Sequence, residues 1–282
     1  MLQVTELTKT YPGFSLKRVS FHLEPGYIMG FIGRNGAGKT TTLKSILNLV
    51  RPDAGQVQIL GRDYYTNELW CKQQMGVVLG EFDYYNDKHL RTITDVTRRF
   101  YPNWSESDYR CYMQQFNLDE NKKVKELSQG MRVKYALALA LSHQAKLFIL
   151  DEPTSGLDPV SRAELLTLFQ KIVETGERSI LFSTHITSDL EKCADYITYI
   201  RDGQILDSCD RESFLDQYRL VHGGQSQLTP EVSGVLIGCQ RNAFGFTGLV
   251  RTRDLSSLPP QLQVAPPDLE SVMVYREQEV LV

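Results

Sequence analysis

The chain has 282 residues, enough for one large domain and a small one. Hydrophobic residues make up 41%, charged residues 23%, and the net charge is -3. This ordinary, near-neutral balance lacks the strong basic field of a nucleic-acid binder and argues against such a partner. Five dispersed cysteines (Cys71, Cys111, Cys193, Cys209 and Cys239) form no CxxC pair and read as buried, reduced thiols of a cytosolic protein. Residues 1–13 lack a cationic start followed by an apolar core, so no signal peptide is expected. The best apolar run, 135–150, is broken by Ser142-His143-Gln144 and Lys146. A membrane helix needs about 20 apolar residues, so none is expected.

The first ten residues, with Leu2, Val4 and Leu7, predict a strand. Residues 16–23 predict a second and 27–32 a buried third. A glycine-rich turn follows, then a helix over about 39–49. Arg51-Pro52-Asp53-Ala54-Gly55 is a breaker cluster, and 56–60 returns to strand. From about 83 to 127 the pattern becomes helical. Tyr84-Tyr85, 92–101 and 105–116 carry it, Tyr101-Pro102-Asn103 is a break, and Trp104-Ser105-Glu106 supplies a cap for the second helix. Then come a helix over 128–141, a strand over 147–150, a helix over 160–174, a strand over 179–183, a helix over 186–193 and strands over 195–200 and 204–207. This alternation predicts an α/β fold with a mainly parallel sheet covered by helices. After about residue 217 the composition shifts: no lysine follows Lys192, and Pro230, Pro259-Pro260 and Pro266-Pro267 punctuate short apolar stretches. The expected division is 1–216 as the main domain and 217–282 as a small, β-rich accessory region.

Gly33-Arg34-Asn35-Gly36-Ala37-Gly38-Lys39-Thr40 fits G-x-x-x-x-G-K-[ST]. Glycines let successive backbone N–H groups turn inward onto phosphate oxygens. The following helix aims its positive end at the same place. Loop residues 33–41, ending at Thr41, are thus the expected ATP cradle. Lys39 would contact the outer phosphates and Thr40 magnesium. Further on, Leu147-Phe148-Ile149-Leu150 leads into Asp151-Glu152. Carboxylates at the C-terminal edge of a parallel sheet sit where ligands bind. Asp151 is placed to hold Mg2+, and Glu152 to polarise an attacking water.

Leu127-Ser128-Gln129-Gly130-Met131, before a helix and about twenty residues ahead of Asp151-Glu152, resembles the Leu-Ser-Gly-Gly-Gln signature of the ABC transporter ATPases. Gln129 and Met131 are departures from it. Pro153-Thr154-Ser155-Gly156-Leu157-Asp158 resembles the family segment that ends in the D-loop, with Asp158 as its aspartate. His185 matches the switch histidine and Tyr11 the aromatic residue that stacks on adenine. The resemblance covers about residues 1 to 215. It implies a P-loop NTPase of ABC type with a mixed sheet core, a helical subdomain at about 83–140 and a small C-terminal accessory region. One departure stands out: where the family has a glutamine, this chain reads Gly80-Glu81. Glu81 takes over the magnesium contact there, or a different residue does.

The same resemblance implies that ATP on the loop of one subunit is completed by Ser128, Gly130 and Asp158 of a second, in a homodimer or heterodimer. Glu152 would be the catalytic base or water-orienting group, and His185 would touch the γ-phosphate. Closure would drive a membrane permease on another chain, with this subunit peripheral on the cytoplasmic face of the cell membrane. The segment 101–131 looks most like bacterial exporter ATPases of that separate-subunit kind. Two rivals are weighed. A soluble ABC protein acting on DNA or ribosomes usually has two ATPase halves or a long coiled-coil insertion, and this chain has neither. A non-hydrolysing ATP sensor conflicts with the presence of Glu152 and His185. Of the aromatic group Phe82, Tyr84, Tyr85, Phe100, Tyr101 and Trp104, most are expected to pack the helical subdomain. The rest would line a groove for a partner helix.

Overall fold

The computed structural model describes residues 1–79 and 85–278. Gly80, Glu81, Phe82 and Tyr84 therefore lie outside the described residues. Two compact units divide the chain, Met1–Asp207 and Ser208–Val282.

The first unit begins β1 (Leu2–Tyr11), β2 (Phe14–Leu23), β3 (Ile28–Ile32), α1 (Lys39–Ile46), β4 (Ala54–Ile59), β5 (Arg62–Asp63), α2 (Glu68–Gln73) and β6 (Met75–Val78). Helices α3 (Leu90–Thr97), α4 (Glu106–Gln115) and α5 (Gln129–Ser142) follow. The unit continues through β7 (Leu147–Asp151), α6 (Pro159–Val173), β8 (Ser179–Thr184), α7 (Thr187–Cys193), β9 (Tyr196–Arg201) and the start of β10 (Gln204–Asp210), whose last three residues belong to the second unit.

Strands β3, β7 and β8 are buried at every position, as central strands covered on both faces must be. They lie in a six-stranded sheet of order β10-β9-β3-β8-β7-β6, and β9, β3, β8, β7 and β6 pair in parallel. Parallel register brings Ile32 beside Thr184 and Asp151 beside Ser183. The loops after β3, β7 and β8 therefore leave from one edge, where α/β sheets bind ligands.

The mainly parallel sheet is present, and the antiparallel strands of the mixed core stand beside it as a sheet of their own. β1, β2, β4 and β5 form a separate antiparallel sheet of order β2-β1-β4-β5. Alternating burial of Leu2 and Val4 marks a half-buried strand but does not say which strands pair with it. The core of this unit joins Leu2, Val4, Leu16, Phe21 and Val57 from that sheet to Met29, Phe31, Leu147 and Leu181 of the parallel one.

Helices α3 to α5 gather around a core of their own, which includes Leu90, Tyr109, Met113, Phe116, Leu127 and Tyr135. Inside it the Thr94 hydroxyl meets the Tyr109 and Tyr135 hydroxyls, each at 2.9 Å, and Tyr135 also donates to the Leu90 carbonyl. Burial raises the pKa of both phenols and keeps them neutral. The Ser105 hydroxyl caps α4 by accepting from the Asp108 N–H. The helix expected over 92–101 is shorter, because after Thr97 the chain tightens into a 3-10 turn, Arg98–Phe100.

The second unit carries α8 (Arg211–Asp216), β11 (Tyr218–Gly223), α9 (Pro230–Val235), β12 (Gly238–Asn242), β13 (Gly245–Arg251), β14 (Gln263–Ala265) and α10 (Leu269–Gln278). Its four strands form an antiparallel sheet of order β12-β13-β11-β14. Val221, Val232, Phe246, Val250 and Leu262 form a small apolar core there.

Candidate active site

The turn between β3 and α1 folds as its glycines require. Gly36 and Gly38 have φ of 84° and 114°, a region that costs other residues strain. A Cβ on Gly33 would stand 2.3 Å from the Ile200 carbonyl oxygen, and one on Gly38 would stand 2.9 Å from the Phe14 ring. Helix α1 starts with no side-chain cap, so its first N–H groups are available to an anion. Ala37 and Lys39 are buried, while Arg34, Asn35, Gly36 and Thr40 are exposed and Thr41 is half-buried.

Lys39 is 5% exposed. Its ammonium donates to the carbonyl oxygens of Gly33 at 2.8 Å and Arg34 at 3.4 Å and lies 3.5 Å from Glu152 Oε1. Thr40 Oγ1 donates to Asp151 Oδ2 at 2.9 Å. The Ser183 hydroxyl donates to Asp151 Oδ1 at 2.5 Å and accepts the Glu152 N–H at 3.0 Å. His185 Nδ1 pairs with Glu152 Oε2 at 2.8 Å. A carboxylate only accepts, so Nδ1 carries the proton and Nε2 is the ring's other polar atom. Thr40, both carboxylates, Ser183 and the histidine thus share one hydrogen-bonded run, and the loop lysine meets it through its ion pair with Glu152.

Glu152 has φ of 49°, a left-handed conformation that costs a residue with a Cβ roughly 1 kcal/mol or more. Its N–H also meets the Ser183 carbonyl at 3.1 Å, and its carbonyl accepts the Ser155 N–H at 3.2 Å. Other non-glycine residues, among them Glu6, Asn48 and Asp202, share a positive φ; Glu152 differs in that its carboxylate pairs with His185 and Lys39, the setting in which stored strain accompanies function. Sequence reasoning missed Ser183 as a site residue. Only its register opposite Asp151 on a parallel strand could have pointed to it.

Tyr11 ends β1, is 39% exposed and pairs across the hairpin with Phe14, whose ring packs on Gly38. Residue 11 is therefore one cross-strand step from the loop. Ser128 caps α5, accepting the Met131 N–H at 3.3 Å. Gly130 follows in the first turn, where a Cβ would sit 3.4 Å from Leu157 and 3.9 Å from Ser161, ordinary contact distances. Asp158 caps α6, accepting the Val160 and Ser161 N–H groups at 3.0 Å. Hydrogen bonds from Ser161, side chain first and then backbone, hold its carboxyl below the ordinary range.

The family model described as ABC transporter matches residues 16–155. A bacitracin transport ATP-binding protein, BcrA of Bacillus licheniformis, is 31% identical over 210 residues, 73% of this chain and 69% of that protein. This chain belongs to the ABC transporter family. Nod factor export ATP-binding protein I of Burkholderia pseudomallei is 34% identical over 192 residues, 66% of this chain and 62% of that protein. A solved ATP-binding subunit of an ABC transporter superposes with a TM-score of 0.69 at 26% identity, covering 77% of this chain and 92% of that one. As an ABC ATPase, the chain binds ATP and hydrolyses it.

This ABC ATPase also has a cavity of about 460 Å³ between its sheet and its helical region. Leu47, Val77, Tyr85, Tyr101, Leu139 and His143 are among the residues that line it. Trp104 instead packs on Tyr109, with ring centroids 5.3 Å apart. Tyr101 stacks on His143 at 3.7 Å, the rings 12° from parallel. Burial pushes the His143 imidazole down to about 4. The unfolded chain takes up that proton near pH 6.5, whereas the folded one resists it. Stability should therefore fall as pH drops from about 6.5 towards 4, by roughly 3 kcal/mol in all. Urea unfolding across that range should show a shallower acid slope for His143→Gln than for the wild type. Parallel slopes would remove His143 as the cause.

Proposed function

We propose that this chain hydrolyses Mg-ATP at the loop of 33–41 and uses the cycle to drive a membrane permease on another chain. The observation that carries the reading is the run Thr40–Asp151–Ser183–Glu152–His185, which joins the loop helix to both carboxylates and the histidine. Lys39 and the loop N–H groups hold the phosphates, and Tyr11 stacks on the adenine. Thr40 and Asp151 offer a hydroxyl and a carboxylate 2.9 Å apart. These are hard oxygen donors that suit magnesium, with phosphate and water completing its shell. The ion, when bound, neutralises charge on the phosphates. Glu152 orients the attacking water and accepts its proton, while His185 contacts the γ-phosphate. Glu81 remains the candidate substitute for the family's glutamine at the metal.

A single copy offers half of each site. Ser128, Gly130 and Asp158 of a second ATPase subunit, a copy or a sister chain, complete the other half. Gly130 suits this: among the described residues a Cβ there would meet only ordinary contacts, and a bare Cα leaves the backbone open to the close approach of a phosphate. In domain terms, residues 1–216 are the ATPase domain with its helical subdomain at about 83–140, and 217–282 are the accessory region. No described helix is long and apolar enough to cross a membrane, which suits a peripheral subunit on the cytoplasmic face. Export is the direction proposed, in line with the relative named for Nod factor export. No nucleic-acid partner is proposed.

Mixing two inactive variants tests the composite site. Lys39→Ala removes one half and Ser128→Arg the other, so each should be inactive alone. A heterodimer of the two keeps one intact site. The mixture should regain hydrolysis that neither variant shows, and a mixture as inactive as its parts would reject completion in trans.

A further inference from the structure

Helix α7 follows His185 at once, and α6 begins at its cap, Asp158. What fixes α7 therefore fixes the root of His185. Two features hold it. Leu190 fills the space left by Gly30 of β3, where a Cβ would come within 2.2 Å of its Cδ2. Asp189, the preceding residue, faces α6. Its carboxylate is fully buried, and neither oxygen has a hydrogen-bond partner. Its one ion-pair partner among the described residues is Arg162 of α6, with Nε at 4.0 Å. Arg162 Nη2 reaches back to the Leu157 carbonyl at 3.4 Å, next to Asp158. A second tie is weaker in kind: Gln170 Nε2 donates to the Lys192 carbonyl at 3.0 Å.

An apolar contact would hold two helices together without the cost of burying charge. An ion pair with a fully buried carboxylate is a poor way to add stability, and in some proteins such a pair fixes geometry instead. The guanidinium spans from the peptide before Asp158 to the carboxylate four residues after His185. We propose that Arg162 and Asp189 are positioning residues for ATP hydrolysis: the pair sets the spacing between the segment ending at Asp158 and the loop bearing His185. The inference rests on the roles proposed above for Asp158 and His185.

The test uses the full-length chain and three readouts: kcat and KM for Mg-ATP hydrolysis, binding of the fluorescent nucleotide TNP-ATP, and Tm. Asp189→Asn should lower kcat about tenfold, with KM and TNP-ATP affinity within about twofold, as expected when ground-state binding is untouched. Arg162→Lys keeps a charge opposite Asp189 but loses the span to the Leu157 carbonyl, so kcat should fall about threefold, between wild type and Asp189→Asn. The decisive variant is Arg162→Met with Asp189→Leu, which removes both charges and keeps apolar volume. It should recover the wild-type Tm yet retain the low kcat. If the double variant recovers kcat along with Tm, or if Asp189→Asn leaves kcat unchanged, the pair is structural only and the proposal is wrong. Should Asp189→Asn fail to fold, the double variant and Arg162→Lys still decide. Glu152→Gln is measured alongside: full activity in that variant overturns the site assignment itself, whatever the Arg162 and Asp189 variants show.

Discussion

Glu152→Gln is expected to lower the rate of ATP hydrolysis by at least about a hundredfold, the low end of what a positioned general base supplies. The amide has the same shape, so the left-handed backbone at φ 49° is no more strained than before. The Ser183 contacts to the Glu152 N–H are also kept, since on the Glu152 side they involve only the main chain. What disappears is the ability to accept a proton from water. ATP should still bind at the loop, and the variant should accumulate as an ATP-bound dimer that cannot reset. Single-turnover hydrolysis and size-exclusion chromatography at saturating Mg-ATP check both parts. A variant that stays monomeric and turns over at the wild-type rate would end the sandwich reading.

Lys39→Ala should have the second large effect, on binding. Lys39 is 5% exposed, and its ammonium lies against the carbonyls of Gly33 and Arg34, within the loop that turns its N–H groups inward. A hydrogen bond to a charged group is worth about 1.5–3 kcal/mol, and the lysine can make more than one to a triphosphate. Its loss should weaken ATP binding by about tenfold to a few hundredfold and remove measurable turnover. Titration calorimetry with Mg-ATP reads the first and a phosphate-release assay the second. Lys39→Met, which keeps the apolar stem, should fail in the same way and so separate the charge from the packing. Normal turnover in either variant would take Lys39 out of the site.

The parts of the site that were legible are the parts that are contiguous. The phosphate loop announces itself because its glycines, lysine and threonine must be neighbours to wrap one small anion. Asp151 and Glu152 follow each other because one strand end delivers both. Ser183 was not legible in that way: it reaches Asp151 only through the pairing of β7 with β8, 32 positions along the chain. Arg162 and Asp189 meet through the packing of α6 on α7, and neither stands out in sequence. The fold shows the same division. Strands and helices of the first unit could be placed from their apolar spacing, yet the split into two sheets could not, because spacing counts strands without naming their partners. In the second unit, α10 lies just past Pro266-Pro267, where the prolines read as loop and hid the helix start.

The backbone at Glu152 has one more consequence. A carboxylate on a residue in an ordinary helix or strand is aimed mainly by its rotamers, and each visit of substrate must find the right one. At Glu152 the main chain itself is turned, and both Ser183 and Ser155 clamp it. The loss of freedom is therefore met once, when the chain folds, and does not recur with every molecule of ATP. It also makes reach unforgiving. Glu152→Asp would draw the acid back by one methylene, and a peptide already held at φ 49° has little slack to follow it.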